Sequence, residues 1–314
     1  MTDLLGAAAG DPAGDGRRGA ADEPGSHLHQ PLLDWYAARS RQLPWREPSA
    51  TPWAVFVSEV MLQQTPVARV EPVWREWLTR WPAPAALAAS SPGEAVRAWG
   101  RLGYPRRALR LHAAAAAMVE RHGGRVPAAE EDLLALPGVG AYTAAAVACF
   151  AFGARTTVVD TNVRRVHARV VGGSAQAAPT LTRAETALAS ALLPGEPERA
   201  CTWNVAVMEL GALVCTARAP RCGECPVADR CAWRLAGRPA YQGPPRRGQS
   251  WHGTDRQVRG ALLAVLREAP GPVTAAQLTA AWPAEGARRE RCLDSLVADG
   301  LVEPLPRGRF RLPV

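Results

Sequence analysis

The chain has 314 residues, of which 37 are Lys or Arg and 29 are Asp or Glu, so its formal net charge is +8. Every one of the 37 basic residues is arginine, which excludes chemistry through an imine on a lysine side chain. With 47% apolar residues the chain is long enough to bury a sizeable core, and its arginine excess favours an anionic partner. These totals leave open which anion the protein binds.

Composition divides the chain into four segments. Residues 1–29 are rich in Gly, Ala, Asp and Pro, which predicts a disordered tail. Residues 30–235 show helical patterns separated by Pro and Gly, and residues 236–254 have the composition of a linker. Residues 255–314 contain three helical stretches and then a β-ribbon, which predicts a small winged-helix-like module.

The first helix with chemical interest covers residues 53–65. Its apolar residues recur at helical spacing, and Glu59 lies at the border of that apolar stripe. A carboxyl at an apolar border has a raised pKa, as a general acid requires. The alternative is a surface glutamate on an amphipathic helix.

Two later segments are each expected to begin a helix. The first would bind an anion at the helix start, and the second places a carboxylate there. Leu136-Pro137-Gly138-Val139-Gly140 is a tight turn before a helical run, where exposed backbone N–H groups would hold an anion. An ordinary turn between two helices is the alternative. Asp160 stands as the N-cap before a helix that begins near Asn162, and hydrogen bonds from backbone N–H groups are expected to keep it ionised.

Four of the seven cysteines fall within one short segment. Cys215, Cys222, Cys225 and Cys231 have the spacing C-x6-C-x2-C-x5-C, which suits either a [4Fe–4S] cluster or a structural zinc ion. Such a metal site indicates a reducing compartment. The sequence also lacks a secretory signal and any apolar run near the roughly 18 residues of a membrane span. We therefore expect a cytoplasmic protein with no membrane partner.

Five features together resemble one family of DNA repair enzymes. They are SEVMLQQT (58–65), RLGYPRRALRLH (101–112), LPGVGAYTA (136–144), VVDTNVRRV (158–166) and the four cysteines. The hairpin and the cysteine loop are similar to those of the helix-hairpin-helix DNA glycosylase superfamily, and the whole set resembles its A/G-specific adenine glycosylase (MutY) family. The resemblance covers residues 30–235. It implies a mostly α, two-lobed fold with a [4Fe–4S] loop at 215–231, and the winged-helix-like module stands where many relatives carry a Nudix-like domain.

The resemblance also implies roles for single residues. Glu59 would protonate a flipped adenine and Asp160 would stabilise the sugar cation, with Tyr142 and Asn162 supporting them. Gln64 and Tyr104 would wedge into the duplex, while Arg41, Trp45 and Arg46 would line the base pocket and the DNA face. The hairpin residues Gly138, Val139 and Gly140 would contact phosphate, and Cys215, Cys222, Cys225 and Cys231 would hold the cluster.

The implied activity is that of a monofunctional glycosylase, acting as a monomer on double-stranded DNA with A:8-oxoguanine or A:G mispairs. Tyr142 occupies the position where bifunctional relatives carry a nucleophilic lysine, so a lysine-dependent strand cleavage is not expected. Val205 stands where relatives usually have Gln or Glu, which predicts weaker hydrogen-bond selection of the base. Two alternatives remain: a thymine/uracil mismatch glycosylase, against which Glu59 argues, and a non-catalytic DNA-binding protein.

Overall fold

A computed structural model describes residues 24–243 and 252–314 of the chain. Within these residues the fold is mostly helical, with one small sheet near the C-terminus. None of the helices in this part of the chain is long and apolar enough to cross a membrane. Residues 1–23 of the predicted tail and residues 244–251 of the predicted linker lie outside the described ranges.

The first lobe is built from the middle of residues 30–235 and contains the larger of the two main apolar cores. Three of its helices begin at Pro, where the missing N–H costs no hydrogen bond, and Thr51 and Ser91 cap two of these with their side-chain oxygens. Trp74, Trp77 and Trp81 are core residues of this lobe, as their helical spacing predicts. Its helices are α2 (Pro52–Leu62), α3 (Val67–Arg80), α4 (Pro84–Ala88), α5 (Pro92–Ala98), α6 (Arg106–His122), α7 (Glu130–Leu134) and α8 (Ala141–Phe152).

The second lobe joins the first helix of the chain to the helices that follow α8. A separate apolar core holds it together, with Leu32 from the first helix packed beside Val163 and Leu210 from the later ones. The chain therefore leaves this lobe, builds the first lobe, and returns. Its helices are α1 (Ser26–Arg39), α9 (Thr161–Val170), α10 (Arg183–Ala191), α11 (Pro197–Leu213) and α12 (Ala232–Leu235).

The structure corrects the end of the predicted N-terminal tail. Residues 26–29 belong to α1, where the sequence places them in a disordered segment. The reason is a long-range contact: His29 is 4% exposed, bonds through Nε2 to the Leu192 carbonyl at 2.9 Å and packs edge-on against Trp203. Composition does not reveal such a contact, because its partners lie more than 160 residues away.

The C-terminal residues fold as three helices and an antiparallel sheet. The helices are α13 (Asp255–Glu268), α14 (Ala275–Ala281) and α15 (Gly286–Ala298), and the strands are β1 (Val273–Thr274), β2 (Glu303–Leu305) and β3 (Arg309–Arg311), in the order β1-β3-β2. The three helices and the ribbon agree with the sequence prediction, and β1 is an addition to it.

This module does not stand apart, because its apolar residues continue the core of the first lobe. Two hydrogen bonds join the module to the first lobe: the Arg267 guanidinium donates to the Val96 carbonyl at 3.0 Å, and the backbone N–H of Gly93 donates to the Pro313 carbonyl at 2.7 Å. A Cβ at Gly93 would lie 2.4 Å from that Pro313 oxygen, so the close approach requires glycine there.

Candidate active site

A cavity of about 540 Å³ opens between the two lobes. Helices α1, α2, α8, α9 and α11 all contribute to its walls. It brings together residues that are far apart in sequence, among them seven of the predicted site residues and Val205. These are Arg41, Trp45, Arg46, Glu59, Tyr142, Asp160, Asn162 and Val205.

Glu59 lies on α2, which is buried along nearly its whole length, and the residue is 5% exposed. The Tyr142 hydroxyl donates a hydrogen bond of 3.0 Å to its Oε2. Burial raises the pKa of Glu59 to about 7, and the hydrogen bond and the charge of Arg46 only partly oppose this. The surface alternative for Glu59 is therefore excluded, and its carboxyl is able to carry a proton near neutral pH.

Tyr142 lies in the first turn of α8, two residues after the Gly140 N-cap. Burial raises the pKa of its hydroxyl well above the ordinary value, and the neighbouring carboxylates of Glu59 and Asp160 raise it further. The phenol therefore stays protonated and acts as a hydrogen-bond donor to Glu59. Gln63 ties the end of α2 to the same turn, because its Nε2 donates to the Thr143 hydroxyl at 3.1 Å.

Asp160 is the N-cap of α9, as the sequence predicts. Its Oδ1 accepts from the backbone N–H groups of Asn162 (2.8 Å) and Val163 (2.7 Å), and its Oδ2 accepts from the Asn162 side chain at 2.7 Å. These hydrogen bonds lower the pKa of Asp160, but burial raises it by more, so the pKa lies above its ordinary value.

Asn162 is itself held in place by Arg165. The Arg165 guanidinium donates to the Asn162 Oδ1 and to the Gly211 carbonyl, both at 2.7 Å, and to the Cys215 carbonyl at 2.8 Å. Gly211 permits this packing, since a Cβ there would lie 2.6 Å from the Asn162 Cβ. One arginine thus joins the capped end of α9 to the start of the cysteine loop.

Glu209 is a site residue that the sequence analysis missed. It lies on α11 with 0% exposure and accepts from both predicted arginines: Arg41 Nε at 2.6 Å and Arg46 Nη1 at 3.0 Å. Burial raises the pKa of its carboxyl, but the arginines more than offset this, and the net shift is downward. A buried glutamate in the apolar run of α11 was the available signal, because a buried charge requires a partner.

Trp45 lies at the cavity together with Arg41 and Arg46. Its indole ring is 6% exposed and packs edge-on against Trp74, with ring centroids 5.6 Å apart. The ring therefore lines the cavity from the core side.

Gln64 and Tyr104 lie on two neighbouring exposed turns at the edge of the first lobe. Both residues have left-handed backbone conformations, with φ of 56° and 47°, which non-glycine residues rarely adopt. Arg107 of α6 lies between the two turns. Its guanidinium donates to the Gln63 carbonyl at 2.6 Å, the Gly103 carbonyl at 3.1 Å and two further carbonyls at the end of α2.

Replacing Arg107 with Met is expected to lower the free energy of unfolding by about 3 kcal/mol or more. The change leaves several buried carbonyl oxygens without a donor, each of which costs about 1–3 kcal/mol. Urea denaturation of both proteins measures the loss. Arg121→Met in the last turn of the same helix is the matched control, since Arg121 is exposed and its loss is expected to cost under about 0.5 kcal/mol. Equal midpoints for the two variants would show that the Arg107 contacts are unimportant.

The predicted hairpin forms the connection between α7 and α8. Gly138 has φ of +78°, and a Cβ there would lie 2.7 Å from the Arg110 Cβ, so the turn requires glycine. Val139 bonds back to the Leu136 carbonyl, and Gly140 caps α8 while remaining exposed. The backbone at the start of α8 is thus open to an anion from outside.

The four clustered cysteines line a small second cavity below α9. The buried guanidinium of Arg169 lies next to them, with Nη1 3.3 Å from the Cys215 Sγ. Burial, together with the charges of the other three cysteines, raises the pKa of Cys225 to about 11. Four mutually repelling thiolates beside a buried cation suit a positively charged metal core.

The donor set fits an iron–sulfur cluster. The four thiols line one cavity, and four cysteine thiolates are the usual ligands of such a cluster. Arg221 in the same loop pairs with Glu224 at 3.2 Å, whereas Arg218 is exposed.

Similarity to known proteins supports this arrangement of hairpin and cysteine loop. The family model described as HhH-GPD superfamily base excision DNA repair protein matches residues 57–190, and that of the iron-sulfur binding domain of endonuclease III matches residues 215–231. The chain is 58% identical over 283 residues to the adenine DNA glycosylase of Mycobacterium tuberculosis, covering 90% of this chain and 92% of that one. It is 55% identical to the adenine DNA glycosylase of Mycolicibacterium smegmatis, covering 90% and 94%.

Among solved structures, that of a thermostable thymine-DNA glycosylase has a TM-score of 0.61 at 28% identity, covering 69% of this chain and 100% of that one. The fold, the hairpin and the cysteine loop define a helix-hairpin-helix DNA glycosylase with an iron–sulfur loop. The chain belongs to the adenine DNA glycosylase family. It is a DNA-binding enzyme of base excision repair, and it carries a [4Fe–4S] cluster. The mycobacterial alignment of 283 residues is longer than residues 30–235, so the likeness extends beyond that segment.

Proposed function

We propose that this enzyme excises adenine mispaired with 8-oxoguanine or guanine by hydrolysing the N-glycosidic bond. The single observation that carries the proposal is the pair of carboxyl groups in the cavity between the lobes. Glu59 has a pKa of about 7 and accepts from Tyr142, while Asp160 accepts three hydrogen bonds at the start of α9. A protonated glutamate and an aspartate held by donors are the pair that glycosidic bond cleavage requires.

Each of these groups has a separate part in the reaction. Glu59 donates its proton to a ring nitrogen of the adenine, which makes the base a better leaving group. The Asp160 carboxylate faces the positive charge that develops on the sugar. Tyr142 orients the Glu59 carboxyl, and Asn162 orients Asp160 through the 2.7 Å bond to its Oδ2. The family likeness at 55–58% identity supports adenine as the base.

The base reaches the cavity only after it leaves the helical stack, which costs a few kcal/mol. Gln64 and Tyr104 are exposed on adjacent turns and fill the gap that the base leaves. Arg41 and Arg46 are fixed by Glu209 on the cavity wall, and Trp45 closes its core side. The exposed backbone of residues 138–140 binds a phosphate of the duplex.

The proposed role of the cluster is structural: it would hold the end of the second lobe in place. Its ligands would be Cys215, Cys222, Cys225 and Cys231.

The division of the chain into segments stays as predicted from the sequence. Residues 1–29 are the predicted tail, apart from the four residues that begin α1. The predicted glycosylase domain covers residues 30–235, the linker 236–254 and the C-terminal module 255–314. We further propose that the enzyme acts as a monomer in the cytoplasm and leaves an uncleaved abasic site. Tyr142 and the absence of lysine from the sequence support this last point.

Base release from four duplexes under single-turnover conditions tests the proposal. The mispairs are A:8-oxoguanine, A:G, T:G and U:G, each analysed with and without alkali. We expect adenine release, fastest opposite 8-oxoguanine, and strand cleavage only after alkali. Release of thymine or uracil instead would move the enzyme to the mismatch branch, and cleavage without alkali, trapped by borohydride, would show a lyase step.

The rate of adenine release is expected to fall as pH rises through about 7. Glu59 has to be protonated to act as the acid, and its pKa is raised to about 7, so the active form is lost above that pH at about tenfold per unit. Single-turnover rates between pH 5 and 9 measure the profile. Duplex affinity serves as the control, because every basic residue other than His is arginine and stays charged throughout this range. A flat profile from pH 7 to 9 would contradict the assignment of Glu59.

A further inference from the structure

Two cysteines outside the cluster lie against each other at the wall of the base cavity. Cys149 of α8 and Cys201 of α11 are 52 residues apart in sequence, and their Sγ atoms are 2.9 Å apart. A disulfide bond is about 2.05 Å long, so a shift of less than about 1 Å closes the gap. The two thiols face one another directly across the packing of α8 against α11.

The two thiols differ in environment. Cys149 is 1% exposed and its Sγ accepts from the Asn204 amide at 3.4 Å, whereas Cys201 is partly exposed and lies at the cavity. Cys201 is therefore the thiol that a peroxide in the cavity reaches first, and Cys149 is the neighbouring thiol that is ready to react with it.

We propose that Cys149 and Cys201 form an oxidation-sensitive thiol pair, which hydroperoxides convert to a disulfide between α8 and α11. In the first step the Cys201 thiolate attacks a peroxide oxygen, the O–O bond breaks, and with one proton the products are a sulfenic acid and water. In the second step the Cys149 sulfur attacks the Cys201 sulfur and loses its proton as a second water leaves. Two thiols and one hydrogen peroxide thus give one disulfide and two waters, and a dithiol reductant reverses the change.

The disulfide would alter the cavity because both helices carry site residues. Cys149 lies two turns after Tyr142 on α8, and Cys201 lies one turn before Val205 and two turns before Glu209 on α11. A displacement of about 1 Å at a catalytic site costs up to about 10²-fold in rate. We expect the oxidised enzyme to excise the base at least about fivefold more slowly than the reduced enzyme. This rate effect depends on the proposed function, whereas formation of the disulfide does not.

Non-reducing peptide mapping of the holoenzyme tests the proposal directly. Trypsin places Cys149 in peptide 126–155 and Cys201 in peptide 200–218. After brief treatment with hydrogen peroxide, we expect a linked pair of these peptides, lighter by two hydrogens and separated by dithiothreitol. Peptide 200–218 also contains Cys215, so Cys201→Ser is required to show which sulfur is joined.

Two variants separate this reaction from damage to the cluster. Cys201→Ser is expected to lose the linked peptides and the peroxide effect on its own excision rate. Cys292→Ser, a buried cysteine of the C-terminal module, is expected to behave like the unchanged protein. The visible absorbance of the cluster is followed throughout. Absence of the linked peptides while the cluster stays intact would overturn the proposal, as would linked peptides that persist in Cys201→Ser. A linked enzyme with unchanged excision would overturn the effect on the cavity.

Discussion

Glu59→Gln is expected to reduce adenine release by about 10³-fold, within the 10²–10⁴-fold that general acids contribute. Gln has nearly the same shape as Glu, and its amide oxygen accepts the hydrogen bond that Tyr142 donates at 3.0 Å in the unchanged protein. It has no proton to give to the leaving base. Single-turnover excision from A:8-oxoguanine duplexes measures the loss, and duplex affinity is expected to stay within about twofold.

Stability provides an internal control for this variant. The pKa of Glu59 is about 7 in the folded protein and about 4.5 in the unfolded chain, so the wild type loses stability as pH rises from 4.5 through 7. Gln does not ionise and avoids this loss. The stability of Glu59→Gln relative to the unchanged protein should therefore grow by about 2.5 kcal/mol between pH 5 and pH 8. A variant that unfolds more easily at pH 8 would indicate that the lost activity reflects damage to the fold.

Asp160→Asn is expected to lower excision by about 10²-fold while α9 stays capped. Asn is as good an N-cap as Asp, so its oxygen still accepts from the Asn162 and Val163 N–H groups. The negative charge that faces the sugar cation is removed. Excision rates and thermal unfolding measured on the same samples separate these two functions of the residue.

Asp160→Ala is the matched comparison, because it removes both the charge and the cap. It should lose a similar factor in rate and, in addition, about 1 kcal/mol of stability. An excision rate in Asp160→Asn equal to that of the wild type would contradict the proposed role of the carboxylate. Asp160 would then be a helix cap only.

Local patterns predicted those parts of the structure that depend on neighbours in sequence. Four features each occupy a short segment with its own sequence pattern: the helix that carries Glu59, the hairpin at 138–140, the cap at Asp160 and the cysteine loop. The prediction for the cysteine spacing left cluster or zinc open, and similarity to the iron-sulfur binding domain decided it. The three helices and the C-terminal ribbon in residues 255–314 followed from the same kind of local pattern, whereas β1 did not.

Contacts between distant segments were not predictable in this way. Glu209 pairs with Arg41 across 168 residues, and Cys149 meets Cys201 across 52. The contact between Arg267 and Val96 was not predictable either. An apolar helix face has the same sequence pattern whether it packs within its own module or against another lobe. The rise in the pKa of Asp160 on burial was not predictable either, because a cap is visible in sequence and the depth of its surroundings is not.

The turns that hold Gln64 and Tyr104 have a consequence for how fast the enzyme finds a lesion. Both residues hold left-handed backbone conformations fixed around the Arg107 guanidinium, so their order is established when the protein folds. A flexible probe would lose about 1–2 kcal/mol of backbone entropy per residue each time it entered the duplex. If Gln64 and Tyr104 form the proposed wedge, they are already ordered, so little conformational entropy is lost each time the enzyme probes an intact base pair. This favours rapid sampling of successive base pairs over tight binding at any one of them.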